Sequence, residues 1–182
     1  MKITILSGSS RSNSHTLALG RALADEISKQ NSAVELIDLV ELALPAPNPK
    51  FHEDPLLHSD PKIVELAKTI NDSDALILLS PIYHNSYSAT LKNALDNLAI
   101  AQFVGKPMAL GSQGGDRTTQ AVDHLRIVAR GLNAIAITTN VCASEEDFVE
   151  IDSGYNLSSP NIQERIERLV KELIMITTKL QG

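Results

Sequence analysis

The sequence predicts an α/β protein built on one doubly wound, five-stranded parallel sheet with helices on both faces. Short apolar runs alternate with longer segments of helical period, which is the pattern of successive βα units. Two of the runs, 75–80 and 134–138, are apolar on both faces, so helices must cover both sides of the sheet. The length of 182 residues with 43% hydrophobic content suits one well-buried core and is short for two, so residues 1–182 are expected to form a single domain.

The elements follow in order. Strands are expected at 2–7, 33–38, 75–80, 107–111 and 134–138. Ala18, Ala22, Leu23 and Ile27 give the first helix its apolar stripe, and Ile63, Leu66, Ala67 and Ile70 give another. Between these two helices Pro45, Pro47, Pro49, Pro55 and Pro61, five of the eight prolines, cluster around APNPKFHEDP. That span reads as a long irregular loop, either functional or simply a solvated connection. After the third strand, Tyr87, Leu91, Leu95 and Leu98 fall at i, i+4, i+8 and i+11, a stripe that could serve both the sheet and a partner subunit. A helix around AVDHLRIVARGLN precedes the fifth strand. The last helix is the clearest, with Ile162, Ile166, Leu169, Val170, Leu173 and Ile174 in amphipathic series behind Pro160.

Composition narrows the function. A net charge of −6 argues against a nucleic-acid partner, and no apolar run reaches the length of a membrane span. A lone cysteine, Cys142, excludes an intrachain disulfide and a multi-cysteine zinc site, and no metal ligand set is expected. The start in Lys2-Ile3 lacks a signal-peptide core, so a cytoplasmic location is expected.

In an open parallel sheet, ligands bind outside the carboxyl ends of the strands near the point where strand order reverses. The loops after strands one, three and four read SGSSRSNSHT, SPIYHNSYS and GSQGGDR. The first offers hydroxyls at Ser9, Ser10, Ser12, Ser14 and Thr16, a guanidinium at Arg11 and the N-terminus of the helix beginning near Ser14. Together these suit a phosphate monoester. The loop lacks both G-x-x-x-x-G-K-[ST] and G-x-G-x-x-G, which favours a mononucleotide over a nucleoside triphosphate or a dinucleotide. The second loop is a rigid turn with free amides and planar side chains, fit for the edge of a heteroaromatic ring. The third has three glycines, which let its backbone approach a flat ligand.

GSSRSNSHT, SPIYHNSYSATLKNALDNL and GSQGG, in that order and at these spacings, resemble the NAD(P)H-dependent FMN reductases of the flavodoxin-like superfamily. The resemblance spans nearly the whole chain and implies the strand order 2-1-3-4-5. It implies that Ser9, Arg11, Ser14, His15 and Thr16 cradle the FMN phosphate. Pro81, Ile82, Tyr83, His84, Asn85 and Ser86 would lie along the ribityl chain and isoalloxazine, with Gly111, Ser112, Gln113, Gly114 and Gly115 on the ring's other edge.

The implied reaction is hydride transfer from NADPH or NADH to FMN, and no side chain is assigned a catalytic role because the chemistry is the flavin's. Reduced FMN would pass to a small-molecule acceptor or to a partner flavin-dependent monooxygenase. Some reductases serving monooxygenases carry an added tyrosine in the helix before strand five, where this chain has His124. That departure keeps open an enzyme that retains FMN and reduces quinones, azo dyes or metal oxyanions. A flavodoxin-type electron carrier is the alternative from another class, although this chain has no Trp to flank the ring. The resemblance further implies a homodimer or homotetramer. Arg117 is a candidate for contact with a nicotinamide dinucleotide's 2′-phosphate.

Overall fold

The computed structural model describes residues 1–182. Five parallel strands form the main sheet in the order β2-β1-β3-β4-β5: β1 (Lys2–Ser7), β2 (Ala33–Asp38), β3 (Ala75–Pro81), β4 (Pro107–Gln113) and β5 (Ile135–Ala143). Strand order reverses between β1 and β3, which are parallel neighbours with Ile5 opposite Ile77. The expected topology is therefore present.

Because successive strand residues face opposite sides, the sheet feeds two cores. Ile3, Ile5, Ile77 and Leu79 pack beneath α1 (His15–Lys29) and α6 (Pro160–Gln181). Leu6, Leu76 and Leu78 pack beneath α3 (Pro61–Asn71), α4 (Ala89–Asp96) and α5 (Gln120–Gly131). Four of these five helices, all but α5, start at a side-chain cap or a proline. Ser14 accepts from the Leu17 N–H, Ser88 from Leu91 and Asp60 from Lys62, while Pro61 and Pro160 occupy the first turns of their helices.

Three features depart from the sequence expectation. The fifth strand runs to Ala143 rather than 138, and although α5 and α6 cover its two faces it lies at the sheet edge, with Ile135 and Thr138 exposed. Its polar ITTN stretch hid the continuation, and its ladder with β4 shifts register between Met108 and Leu110. Of the stripe of Tyr87, Leu91, Leu95 and Leu98, the three leucines are buried in the chain's own core and only Tyr87 is left half-buried. An antiparallel hairpin, β6 (Phe148–Ile151) and β7 (Gly154–Leu157), follows β5 and packs on α1.

The proline-rich span holds the one-turn helix α2 (Leu39–Leu42) just before it and two 3-10 turns within it, each started by a proline under an Asn48 or Asp54 cap. It is tied to α4, since Asn93 and Asn97 both donate to the Pro45 carbonyl, at 3.1 and 3.0 Å.

Candidate functional site

The site lies at the carboxyl ends of β1, β3 and β4, beside the reversal in strand order. Gly8 leaves β1 with its N–H donating to the Leu79 carbonyl at 2.8 Å. The Gly8 carbonyl accepts from Ser88 Oγ, the same hydroxyl that caps α4, and Ser10 Oγ meets Thr90 Oγ1 at 2.7 Å. The loop after β1 is thereby bolted to the start of α4. Ser12 is also a fastener, donating to Glu41 at 2.8 Å. The hydroxyl density of this loop is thus partly structural.

What is left over has the character of an anion site. The backbone N–H groups of Ser9, Ser12, Asn13, Ser14, His15 and Thr16 donate to no backbone carbonyl. Thr16 Oγ1 is fully buried and has no hydrogen-bond partner. Arg11 is exposed and takes part in none of the ion pairs. These groups converge on a cavity of about 340 Å³ at the N-terminus of α1, together with Ser9, Ser14 and His15. A buried hydroxyl without a partner costs free energy unless a ligand satisfies it, and a phosphate oxygen beside a helix N-terminus does so.

The second loop forms one wall. Ile82 N–H donates to the Gln113 carbonyl at 2.9 Å, and Tyr83 and Ser86 exchange backbone hydrogen bonds across a tight turn whose tip residues, His84 and Asn85, have φ of 47° and 62°. Two left-handed residues in succession make this a type I′ turn, whose twist matches a hairpin. Pro81, Ile82 and Tyr83 line the cavity. His84, Asn85 and Ser86 stand outside it, and Ser86 Oγ is 2.9 Å from His124 Nδ1 on α5.

The third loop adjoins the second and extends the wall. Gln113, Gly114 and Gly115 line the cavity, with Gly114 at φ 107° and Gly115 at φ 56°, conformations open to glycine. Gly111 and Ser112 sit inside β4 instead. A Cβ on Gly111 would lie 2.6 Å from Leu79 Cδ2 and 2.9 Å from Val141 Cγ1, so this glycine answers to strand packing. Arg117 is already engaged, donating from Nε and Nη2 to Asp147 at 3.0 and 2.9 Å.

Three lining residues were not read from the sequence: Asn13, Glu145 and Tyr155. The last two come from the segment after β5. The His15 imidazole stacks on Tyr155, with ring centroids 3.9 Å apart, and on Phe148 at 5.0 Å. This burial lowers the His15 pKa below its ordinary value, with Glu145 pulling it up and Arg11 pushing it further down. The Asp-Ser-Gly turn between two alternating runs was the signal that could have exposed the hairpin.

A doubly wound sheet of order 2-1-3-4-5 with an anion cradle after its first strand defines a flavodoxin-like mononucleotide-binding protein. Residues 1–148 match the model of the NADPH-dependent FMN reductases, and the chain belongs to that family. It is an oxidoreductase working with FMN and a nicotinamide dinucleotide. Over 183 aligned residues it is 34% identical to the FMN-dependent NADPH-azoreductase of Staphylococcus aureus, covering 96% of this chain and 94% of that protein. Among solved structures, an NADH:FMN oxidoreductase in apo form superposes with TM-score 0.75 at 22% identity, over 96% of this chain and 89% of the other. A flavodoxin from the domain Archaea superposes with TM-score 0.65 at 14% identity over the full length of both chains.

Proposed function

We propose that the cavity at the α1 N-terminus holds FMN, and that this chain uses it to carry reducing equivalents from NADPH or NADH to a second acceptor. The observation that carries the placement is the unpartnered, buried Thr16 Oγ1 among free loop N–H groups and Arg11. Those groups bind the phosphate, with Ser9 and Ser14 beside them. His15, kept largely neutral by burial, adds an aromatic wall without crowding a second cation against Arg11. Pro81, Ile82 and Tyr83, with Gln113, Gly114 and Gly115 next to them, orient the ring. FMN bound there supplies the hydride chemistry, so the protein's part is binding, orientation and access.

Two acceptors fit this reading. A flavin-dependent monooxygenase taking reduced FMN is the one the family resemblance implies, and an azo compound is the one supported by the 34% identical relative. Purified protein incubated with FMN should show saturable flavin binding and should oxidise NADPH or NADH when an acceptor is added. No binding and no turnover at saturating FMN would refute the reading. Flavin that stays on the protein through gel filtration after turnover points to the azo acceptor, and flavin released on reduction points to the monooxygenase.

The chain is further proposed to be a cytoplasmic homodimer or homotetramer. No helix is long and apolar enough to cross a membrane. With the α4 leucines buried, exposed apolar side chains near that face include Leu57, Ile100 and Val104, at 72%, 45% and 56% on turns flanking α3 and α4. A groove of about 610 Å³ between α2 and α4, lined by Val40, Leu44 and Pro47, adds to them.

A further inference from the structure

The hairpin β6–β7 begins where the match to the family ends, at residue 148, yet it reaches into the phosphate cavity. Its turn is pressed onto the loop after β1. Gly154 has φ 126°, and a Cβ there would lie 3.1 Å from Asn13 Cβ and 3.6 Å from Asn13 Cα, so only glycine allows this approach. The next residue, Tyr155, lays its ring on His15 at 3.9 Å and lines the cavity. Glu145, exposed, lines it as well. The hairpin segment therefore adds an aromatic ring and a carboxylate to the lining of the cradle.

A phosphate monoester ends inside such a cradle, whereas a diphosphate ester must continue out of it. The continuing chain would meet Tyr155 and would carry a second negative charge beside Glu145. The cavity of about 340 Å³ is also at the small end for ligand sites. We propose that the β6–β7 hairpin, through Tyr155 and with Glu145 beside it, restricts this site to flavin monophosphate and excludes flavins whose phosphate is esterified to a second phosphate. The inference rests on the placement of FMN proposed above.

The test is a set of equilibrium titrations of flavin-free protein with FMN, FAD and riboflavin. Tyr155→Ala should lower the ratio of FAD to FMN dissociation constants by about tenfold or more, through tighter FAD binding. Glu145→Gln should act in the same direction by about threefold to tenfold, less at high salt, and should leave riboflavin unmoved. Tyr155→Phe should keep the wild-type ratio, since the ring and not the hydroxyl closes the site. Glu145 is exposed, so its replacement leaves a folded protein even if Tyr155→Ala does not. An FAD affinity unchanged in Glu145→Gln and in folded Tyr155→Ala would overturn the inference, and a wild-type protein that binds no FMN would instead overturn the placement.

Discussion

Arg117 and Asp147 form a two-pronged ion pair that joins the loop after β4 to the loop after β5. Arg117 Nε and Nη2 donate to the two carboxylate oxygens of an Asp147 that is 1% exposed. The same carboxylate accepts from the Ser144 N–H at 2.8 Å, and the Asp147 carbonyl accepts from the N–H groups of Ser158 and Ser159 at the start of α6. One side chain thus holds together the glycine wall of the site and the base of the hairpin.

This arrangement predicts an acid-sensitive stability. Burial pushes the Asp147 carboxyl up, but hydrogen bonds from Arg117, Ser144 and Ser159, with the Arg117 charge, outweigh it and hold the pKa below the ordinary value. A carboxylate depressed in the fold contributes stability that is complete above about pH 4 and fades as pH falls through the folded value. Asp147→Asn should flatten that acid limb in thermal unfolding. Asp147→Ala, which strands the Ser144 N–H, should cost about 1–3 kcal/mol at neutral pH.

His15 predicts a second pH dependence, at milder acidity. Burial lowers its pKa from 6.5, so the unfolded chain takes up the proton first. Its contribution is complete above that value and is lost as pH falls through the lower folded one. His15→Phe, which keeps an aromatic ring against Tyr155, should remove this component from urea unfolding curves recorded below neutrality. An unchanged pH profile would show that the imidazole titrates freely.

The phosphate cradle predicts a divergence between two flavins. Arg11→Ala should weaken FMN by about 10- to 150-fold, the worth of a charge-assisted contact of ~1.5–3 kcal/mol, and should barely touch riboflavin. Thr16→Val should weaken FMN too while leaving the ligand-free protein as stable or more so, because the hydroxyl it removes is unpartnered. Fluorescence titration and thermal unfolding together read both effects.

Two glycines should respond to alanine in opposite senses. A Cβ on Gly8 would lie 2.7 Å from Leu91 Cβ and 2.9 Å from the Leu79 carbonyl oxygen, neither of which can yield, so Gly8→Ala should cost about 1–3 kcal/mol. Gly131, in the last turn of α5, has open space around its Cβ position, so Gly131→Ala should stabilise by up to ~1 kcal/mol. Chemical denaturation measures both.

Patterning along the chain was enough to determine the doubly wound sheet, its cores and the loop after β1, because apolar period and cap residues are local properties. Ile3-Thr4-Ile5-Leu6 followed by GSSRSNSHT carries strand, turn and helix start within a few residues of one another. The resemblance added the strand order and the cofactor.

Only the tertiary structure decided how each of those residues is used. Ser10 and Ser12 share the chemistry of Ser9 and Thr16, yet their hydroxyls are taken by Thr90 and Glu41, partners 80 and 29 positions away. Gly111 and Gly115 are the same residue four positions apart, but one is trapped between Leu79 and Val141 while the other opens the cavity. Tyr155 reaches His15 only because β5 delivers the hairpin over the start of α1. Contacts of that range depend on the positions of several elements at once, and no local pattern encodes them.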